Sequence, residues 1–233
     1  MNFVTYNDEI IEYSFARKNV KNINLRIRAD GSVAVSAPRG VPLSAIESFV
    51  LLNAPKILSV RRRIKENENR KIKFENGDGI FILGKRYELS VRQSGKNKYA
   101  VKENSVIFYL CDFSYDNRVA LYDKLLSDTA KREFEGIVAE CLPLFPQKIS
   151  NPPKLKIRRM KSQWGNCRAL KNVVTLNSRL AAYDRDIIKF VVCHEFCHFS
   201  HQNHSKAFYD SLSRVMPKWK EYDKVLNNKL NYC

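Results

Sequence analysis

The sequence predicts an α+β fold, with a strand-rich N-terminal region followed by a region organised around one chemistry-bearing helix. Three observations predict it. Turn dipeptides flanked by alternating apolar residues recur through the first half. Long apolar stripes at helical spacing dominate the second. All four histidines of the chain fall within the eleven residues from His194 to His204.

The segment NINLRIRADGSVAVSAPRG alternates on either side of Asp30-Gly31, a dipeptide suited to the positive φ of a tight turn, so two antiparallel strands are expected. From Ser44 to about Glu68, Ile46, Phe49, Val50, Ala54, Ile57, Leu58 and Ile64 follow helical spacing, and Pro55 should kink or interrupt the helix. Arg61-Arg62-Arg63 reads as an exposed face of that helix. GIFILGKRYELSVRQ reads as strand, turn at Gly84, strand, and YAVKENSVIFYL as two more strands. CDFSYDN, at 112–117 or so, breaks the pattern. We therefore expect a strand-rich region over residues 1–115, with one helical segment, and a second domain over residues 116–233.

The second region opens on a long helix, about Arg118 to Leu142, ended by a proline-rich connector. LKIRRM and VVTLNSRL read as strands joined through a turn that holds SQWGNC. Asp184 or Asp186 should cap the helix that carries the first histidines. A last helical stretch covers Ser205 to Leu230, with a break at Pro217.

Composition bounds the function. The 233 residues are 44% hydrophobic and 28% charged, as in a globular protein with its own core. No apolar run is long enough to span a membrane, and the N-terminus lacks the basic start and apolar core of a secretory signal. Cytoplasmic residence with reduced cysteines is the expectation. The net charge of +17 is shared by both halves. Between Glu140 and Asp184 there is no acid, while Lys148, Lys154, Lys156, Arg158, Arg159, Lys161, Arg168, Lys171 and Arg179 are basic. Such a stretch attracts acidic peptides or phosphates, so an anionic substrate, or nucleic-acid association through a basic surface, stays open.

The chemistry resides in H-E-F-C-H-F-S-H-Q-N-H. Residues four apart share a helix face, so His194 and His198 can direct two imidazoles at one metal. Glu195 is rotated by about 100° from His194, poorly placed to ligate the same ion but able to reach a water beside it. A catalytic zinc takes three protein ligands and keeps one position open. His204, delivered by a turn at Gln202-Asn203, is favoured as the third; His201 competes but drifts off the shared face. Cys193 and Cys197 could instead close a structural zinc site, but each is rotated away from its neighbouring histidine and is read as a small buried hydrophobe. For the group that steadies a developing oxyanion the candidates are Arg158, Arg159, Ser162, Trp164 and Tyr209; Arg158 and Arg159 are adjacent on a strand and face opposite sides. Asn177 is a candidate for orienting the histidines.

At these residues the chain resembles the YgjP-like metal-dependent hydrolases, a zincin metallopeptidase group related to the SprT-like and Wss-type families. NINLRIRADGSVAVSAPRGVPLSAIESFV and LGKRYEL resemble its N-terminal and middle parts, and RRMKSQWGNC, TLNSRL, VVCHEFCHFSHQNHSKAFY and MPKWK its C-terminal signature, in order. The chain departs from that pattern at Gln163, Asn166 and Tyr209, none of which is an expected ligand. The resemblance implies a zincin-like C-terminal domain, Zn2+ on His194, His198 and His204, and Glu195 acting on water. It implies peptide-bond hydrolysis; nucleoside-triphosphate pyrophosphatase chemistry has also been ascribed to the family, and a nucleic-acid-binding protein with a structural metal is a third reading.

Overall fold

The computed structural model describes residues 2–69, 72–145, 149 and 151–227. The fold class is the α+β expected, with small sheets and six helices among the described residues. The chain divides into two compact units, residues 1–71 and 72–233.

The first unit is a four-stranded sheet with two helices. β1 (Asn2–Tyr6) and β2 (Glu9–Arg17) form an antiparallel hairpin whose turn residues Asn7 and Asp8 have φ of 48° and 63°. β3 (Asn24–Ile27) and β4 (Val33–Ala37) form the hairpin expected around Asp30-Gly31, and β2 and β4 pair in parallel at the centre. The turn is held by Asp30, whose carboxylate accepts from the backbone N–H and the hydroxyl of Ser32. The helical segment is two helices, α1 (Leu43–Leu52) and α2 (Ala54–Asn69), bent by 56° at the break. Pro55 stands in the first turn of α2, where its missing N–H costs nothing. Arg61 is not simply part of a solvated face: its Nε–H donates to the Gly31 carbonyl at 3.0 Å.

The second unit begins with a sheet of the same strand order. β5 (Gly79–Ile82) and β6 (Lys85–Gln93) form one hairpin, β7 (Lys98–Val101) and β8 (Ser105–Leu110) another, and β6 pairs with β8 in parallel. α3 (Tyr115–Cys141) packs its apolar stripe on this sheet, with Leu121, Tyr122, Leu125, Leu126, Phe134 and Ile137 in one core with Ile80, Leu89, Val106 and Phe108. The Tyr122 hydroxyl donates to the Phe81 carbonyl at 2.8 Å. Packing thus runs across residue 115, and the compact units part at residue 71 instead of at the pattern break near 115.

A three-stranded sheet follows: β9 (Lys154–Arg158), β10 (Gly165–Arg168) and β11 (Val173–Asn177) in the order β10-β11-β9. β9 and β11 are parallel, and β10 pairs antiparallel with β11. SQWGNC is therefore no simple turn, since its second half is a sheet edge. Part of the proline-rich connector, at 146–148 and 150, lies outside the described residues. Then come α4 (Arg185–Cys197), α5 (Lys206–Val215) and α6 (Trp219–Asn227). α4 begins after Asp184, and Pro217 lies in the break before α6; the expected continuation to Leu230 lies outside the described residues. No single helix among the described residues is both long and apolar enough to cross a membrane.

The β5–β6 turn sets where α4 starts. Leu83 and Gly84, with φ of 50° and 79°, donate their N–H groups to the carbonyls of Ala181 and Ala182 at 2.7 and 3.1 Å. A Cβ on Gly84 would overlap the Asp184 carboxylate and reach 3.0 Å from its Cα. Gly84→Ala is therefore expected to lower unfolding stability by at least ~1–2 kcal/mol, measured by denaturant titration, because it adds a left-handed-region penalty to a clash with backbone. A loss below a few tenths would show that this turn does not dock on the start of α4.

Candidate active site

α4 is apolar on the side that meets the core, and its last turns carry H-E-F-C-H. The helix ends at Cys197, and His198 is its C-terminal cap at φ −69° and ψ −12°. The chain then turns back: the N–H groups of Ser200 and His201 bond the Cys197 carbonyl at 3.1 and 3.0 Å. Gln202 and Asn203 pass without positive φ, so the turn needed none of asparagine's tolerance. His204 arrives just before α5.

The imidazole nitrogens of His194, His198 and His204 lie within 4.8 Å of one another. The Nε2 atoms of His194 and His204 are 3.0 Å apart. Two ligand nitrogens at zinc's bond lengths in a tetrahedral site stand roughly 3.3 Å apart, so the donor set fits a small divalent ion. His198 Nδ1–H donates to the His201 carbonyl at 2.9 Å, which leaves the Nε2 lone pair free. The structure thus separates two roles that spacing left open. The ring of His201 bonds the Ser211 hydroxyl at 3.1 Å, and only its backbone serves the cluster. Burial, reinforced by His198 and His204, drives the pKa of His194 down to about 4. Burial likewise lowers that of His198, against the His201 carbonyl, which raises it. Neutral imidazole is the form that binds metal.

Phe208 of α5, fully buried, supports all three rings. Its centroid lies 4.9 Å from His194, 4.8 Å from His198 and 4.7 Å from His204. Nothing in the sequence marked it beyond its place on an apolar stripe. Cys193 and Cys197 are buried in the core and outside the donor cluster, as expected.

Glu195 is 5% exposed and lies against the edge strand β10. A Cβ on Gly165 would stand 2.7 Å from Glu195 Cγ and 2.8 Å from Cδ. Burial pushes the Glu195 carboxyl up to about 8, and a hydrogen bond from the Cys167 backbone works in the opposite direction. The half-buried Cys167 thiol beside it is in turn pushed up to about 12, by burial and then by Glu195.

The three histidines and Glu195 open into one cleft of about 910 Å³. Ser162 and Trp164 line it, and Trp164 packs edge-on against Tyr183 at 5.3 Å. Arg158 and Tyr209 are not among its lining residues. Arg158 is exposed at the end of β9, and Arg159 is paired with Asp123. Tyr209 stacks between two rings, 6.2 Å from His204 and 4.8 Å from Trp219, and so braces the third histidine. Asn177 orients a loop and not the histidines: its amide donates to the carbonyls of Met160 and Gln163 at 2.9 and 2.8 Å. Arg168 and Lys171, from the acid-free basic stretch, also line the cleft, and Leu170 and, from α6, Asp223 and Leu226 were not foreseen.

The YgjP-like metallopeptidase domain family matches residues 21–229. This chain belongs to that family. The YgjP-like match spans both compact units, and it makes the domain one of metal-dependent, metallopeptidase type. No curated protein matches the chain. Among solved structures, the chain is similar to the metallopeptidase zymogen abylysin of Pyrococcus abyssi, with 19% identity, a TM-score of 0.37, and 42% of this chain and 98% of that one covered. It is also similar to the metallopeptidase zymogen jannalysin of Methanocaldococcus jannaschii, with 20% identity, a TM-score of 0.37, and 42% and 96% covered.

Two substitutions test the support of this YgjP-like site. Phe208→Ala should cost ~3–5 kcal/mol as a core cavity, whereas Phe208→Leu should fold yet bind metal more weakly, read by competition with a chromophoric chelator. Unchanged metal affinity in the leucine variant would deny the ring its supporting role. Gly165→Ala should displace Glu195 and lower turnover by roughly 10²-fold or more, because small misplacements at a reacting centre are that costly; wild-type turnover would show the contact to be irrelevant.

Proposed function

We propose that this chain is a zinc-dependent peptidase of the cytoplasm, in which His194, His198 and His204 hold the ion and Glu195 is the general base. The observation that carries the reading is the convergence of three imidazole donors and one buried carboxylate on a single cleft. The free thiols Cys111, Cys141, Cys167, Cys193 and Cys197 suit a reducing compartment.

A zinc ion there would polarise the scissile carbonyl, lower the pKa of water toward neutrality and favour the ionised form of Glu195. Glu195, one residue past His194 and shielded from solvent, takes a proton from the attacking water at a carboxylate oxygen. It then holds that proton in place and delivers it to the leaving amine. The Cys167 backbone N–H steadies the carboxylate when charged. His201, through its carbonyl, keeps the proton of His198 on Nδ1. Ser162 and Trp164 are the lining candidates for the carbonyl oxygen of the substrate.

A polypeptide is favoured over a nucleotide by the strand that borders the cleft. Among the described residues β10 pairs only with β11; the outward Cys167 N–H is turned to Glu195, and the rest of that edge would offer main-chain hydrogen bonds to an extended peptide.

The test is hydrolysis by zinc-loaded protein of an unstructured polypeptide, with nucleoside triphosphates and single-stranded nucleic acid in parallel. Glu195→Gln should lower peptide cleavage by about 10²–10⁴-fold, the usual worth of a general base, while the chain stays folded. Release of pyrophosphate with the same Glu195 dependence would replace the peptidase reading by phosphoanhydride chemistry. Nucleic-acid binding without turnover of any substrate would replace it by a binding role.

A further inference from the structure

β10 ends at the mouth of the cleft in the tight loop Arg168-Ala169-Leu170-Lys171-Asn172. Ala169–Lys171 form one 3-10 turn, and Asn172 takes the left-handed conformation at φ 47° and ψ 50°. The base of the loop is tied down. The Lys154 N–H donates to the Asn172 carbonyl at 2.8 Å, and the Asn172 amide donates to the carbonyls of Asn151 and Pro152, both at 3.3 Å. The tip is therefore presented on a fixed frame.

What it presents is unusual for a cleft wall. Leu170 is 100% exposed, and Arg168 and Lys171 on either side of it are exposed. All three line the cleft that holds Glu195 and the histidines. Neither cation has an acidic partner among the described residues, and the stretch from 141 to 183 contains no acid to supply one. A single exposed leucine is ordinary on a protein surface. Here it stands between two cations that have no acidic partner among the described residues, on a wall of the cleft that holds Glu195 and the histidines. Besides buried Glu195, Asp223 on α6 is the one carboxylate in the lining among the described residues, and its Oδ2 already accepts from the Asn227 amide at 2.8 Å.

We propose that the rim formed by Arg168, Leu170 and Lys171 is a recognition site for unstructured polypeptide segments in which acidic residues flank an apolar one. The two cations attract and pair with the carboxylates, and Leu170 covers the apolar side chain between them. The alternative occupant of a basic rim is nucleic acid. Its single-stranded forms stack their bases on aromatic platforms; Trp164 and Phe190 line the cleft, but the rim itself, residues 168–172, carries no aromatic beside its cations. The inference deepens the peptidase reading by naming its substrate class, but binding tests it separately from cleavage.

The experiment uses the full chain with Glu195→Gln, zinc-loaded, and fluorescence anisotropy with labelled peptides of equal length. One peptide alternates Glu with Leu, one Lys with Leu, and one Glu with Gly. The Glu–Leu peptide should bind roughly three- to tenfold more tightly than the Lys–Leu peptide, the scale of two exposed charge contacts. Added salt should shrink that ratio. Arg168→Gln with Lys171→Gln should abolish it, and Arg168→Glu with Lys171→Glu should reverse it. Leu170→Ser should bring Glu–Leu down to the level of Glu–Gly. A charge preference unchanged in both double variants overturns the proposal, as does an oligonucleotide of equal charge that displaces the peptide through the same residues. If the preference holds but the zinc-loaded wild-type chain cleaves no unstructured polypeptide, the rim stands and the peptidase reading fails.

Discussion

The position of one buried carboxylate constrains most of the second unit. Glu195 is nearly free of solvent, and the space it occupies is the space a side chain at residue 165 would need. The edge of the small sheet must therefore be glycine where α4 crosses it. Cys167, two residues on, turns a backbone hydrogen bond toward the carboxylate. Burial pushes the Glu195 carboxyl up, and the hydrogen bond from Cys167 offsets part of that shift. Once α4 is registered against β10 in this way, the helical repeat fixes where His194 and His198 point.

The third histidine depends on different forces. His204 belongs to the connector between α4 and α5, and no helix holds it. It is held by packing: Phe208 lies against all three imidazoles, and Tyr209, backed by Trp219, stacks on the far ring. The cluster is thus a polar group of donors resting on an aromatic floor. That floor orients the rings without competing for their nitrogens. The start of α4 is set from the other side by the β5–β6 turn, so a hairpin remote in sequence governs where the histidine-bearing end of the helix lies.

The histidine cluster was legible because helix spacing alone places residues four apart on one face. The hairpins at Asp30-Gly31 and Gly84, and the break near Pro55, were legible because their turn chemistry is local. The β1–β2 hairpin was missed although Asn7-Asp8 is a turn signal of the same kind; acids among the apolar residues obscured its alternation. β10 was read as turn because Gly-Asn-Cys-Arg has neither alternation nor β-branched residues, and only pairing with β11 makes it a strand. The pattern break before α3 suggested a boundary that long-range packing removes, since the helix stripe completes the preceding sheet. Arg158 and Arg159 show the limit of periodicity: alternation puts them on opposite faces of a strand, but what each face meets is decided by the rest of the fold.

Three imidazoles bring ring nitrogens within 4.8 Å of one another. The most direct measurement of their role is the metal content of the purified chain, by inductively coupled plasma mass spectrometry after dialysis against a trace of zinc. One zinc per chain is expected in the wild type and in Glu195→Gln, and close to none in His198→Ala or His204→Ala that remain folded by circular dichroism. Zinc content unaffected by the loss of either histidine, or a wild type that retains no metal, would contradict that role.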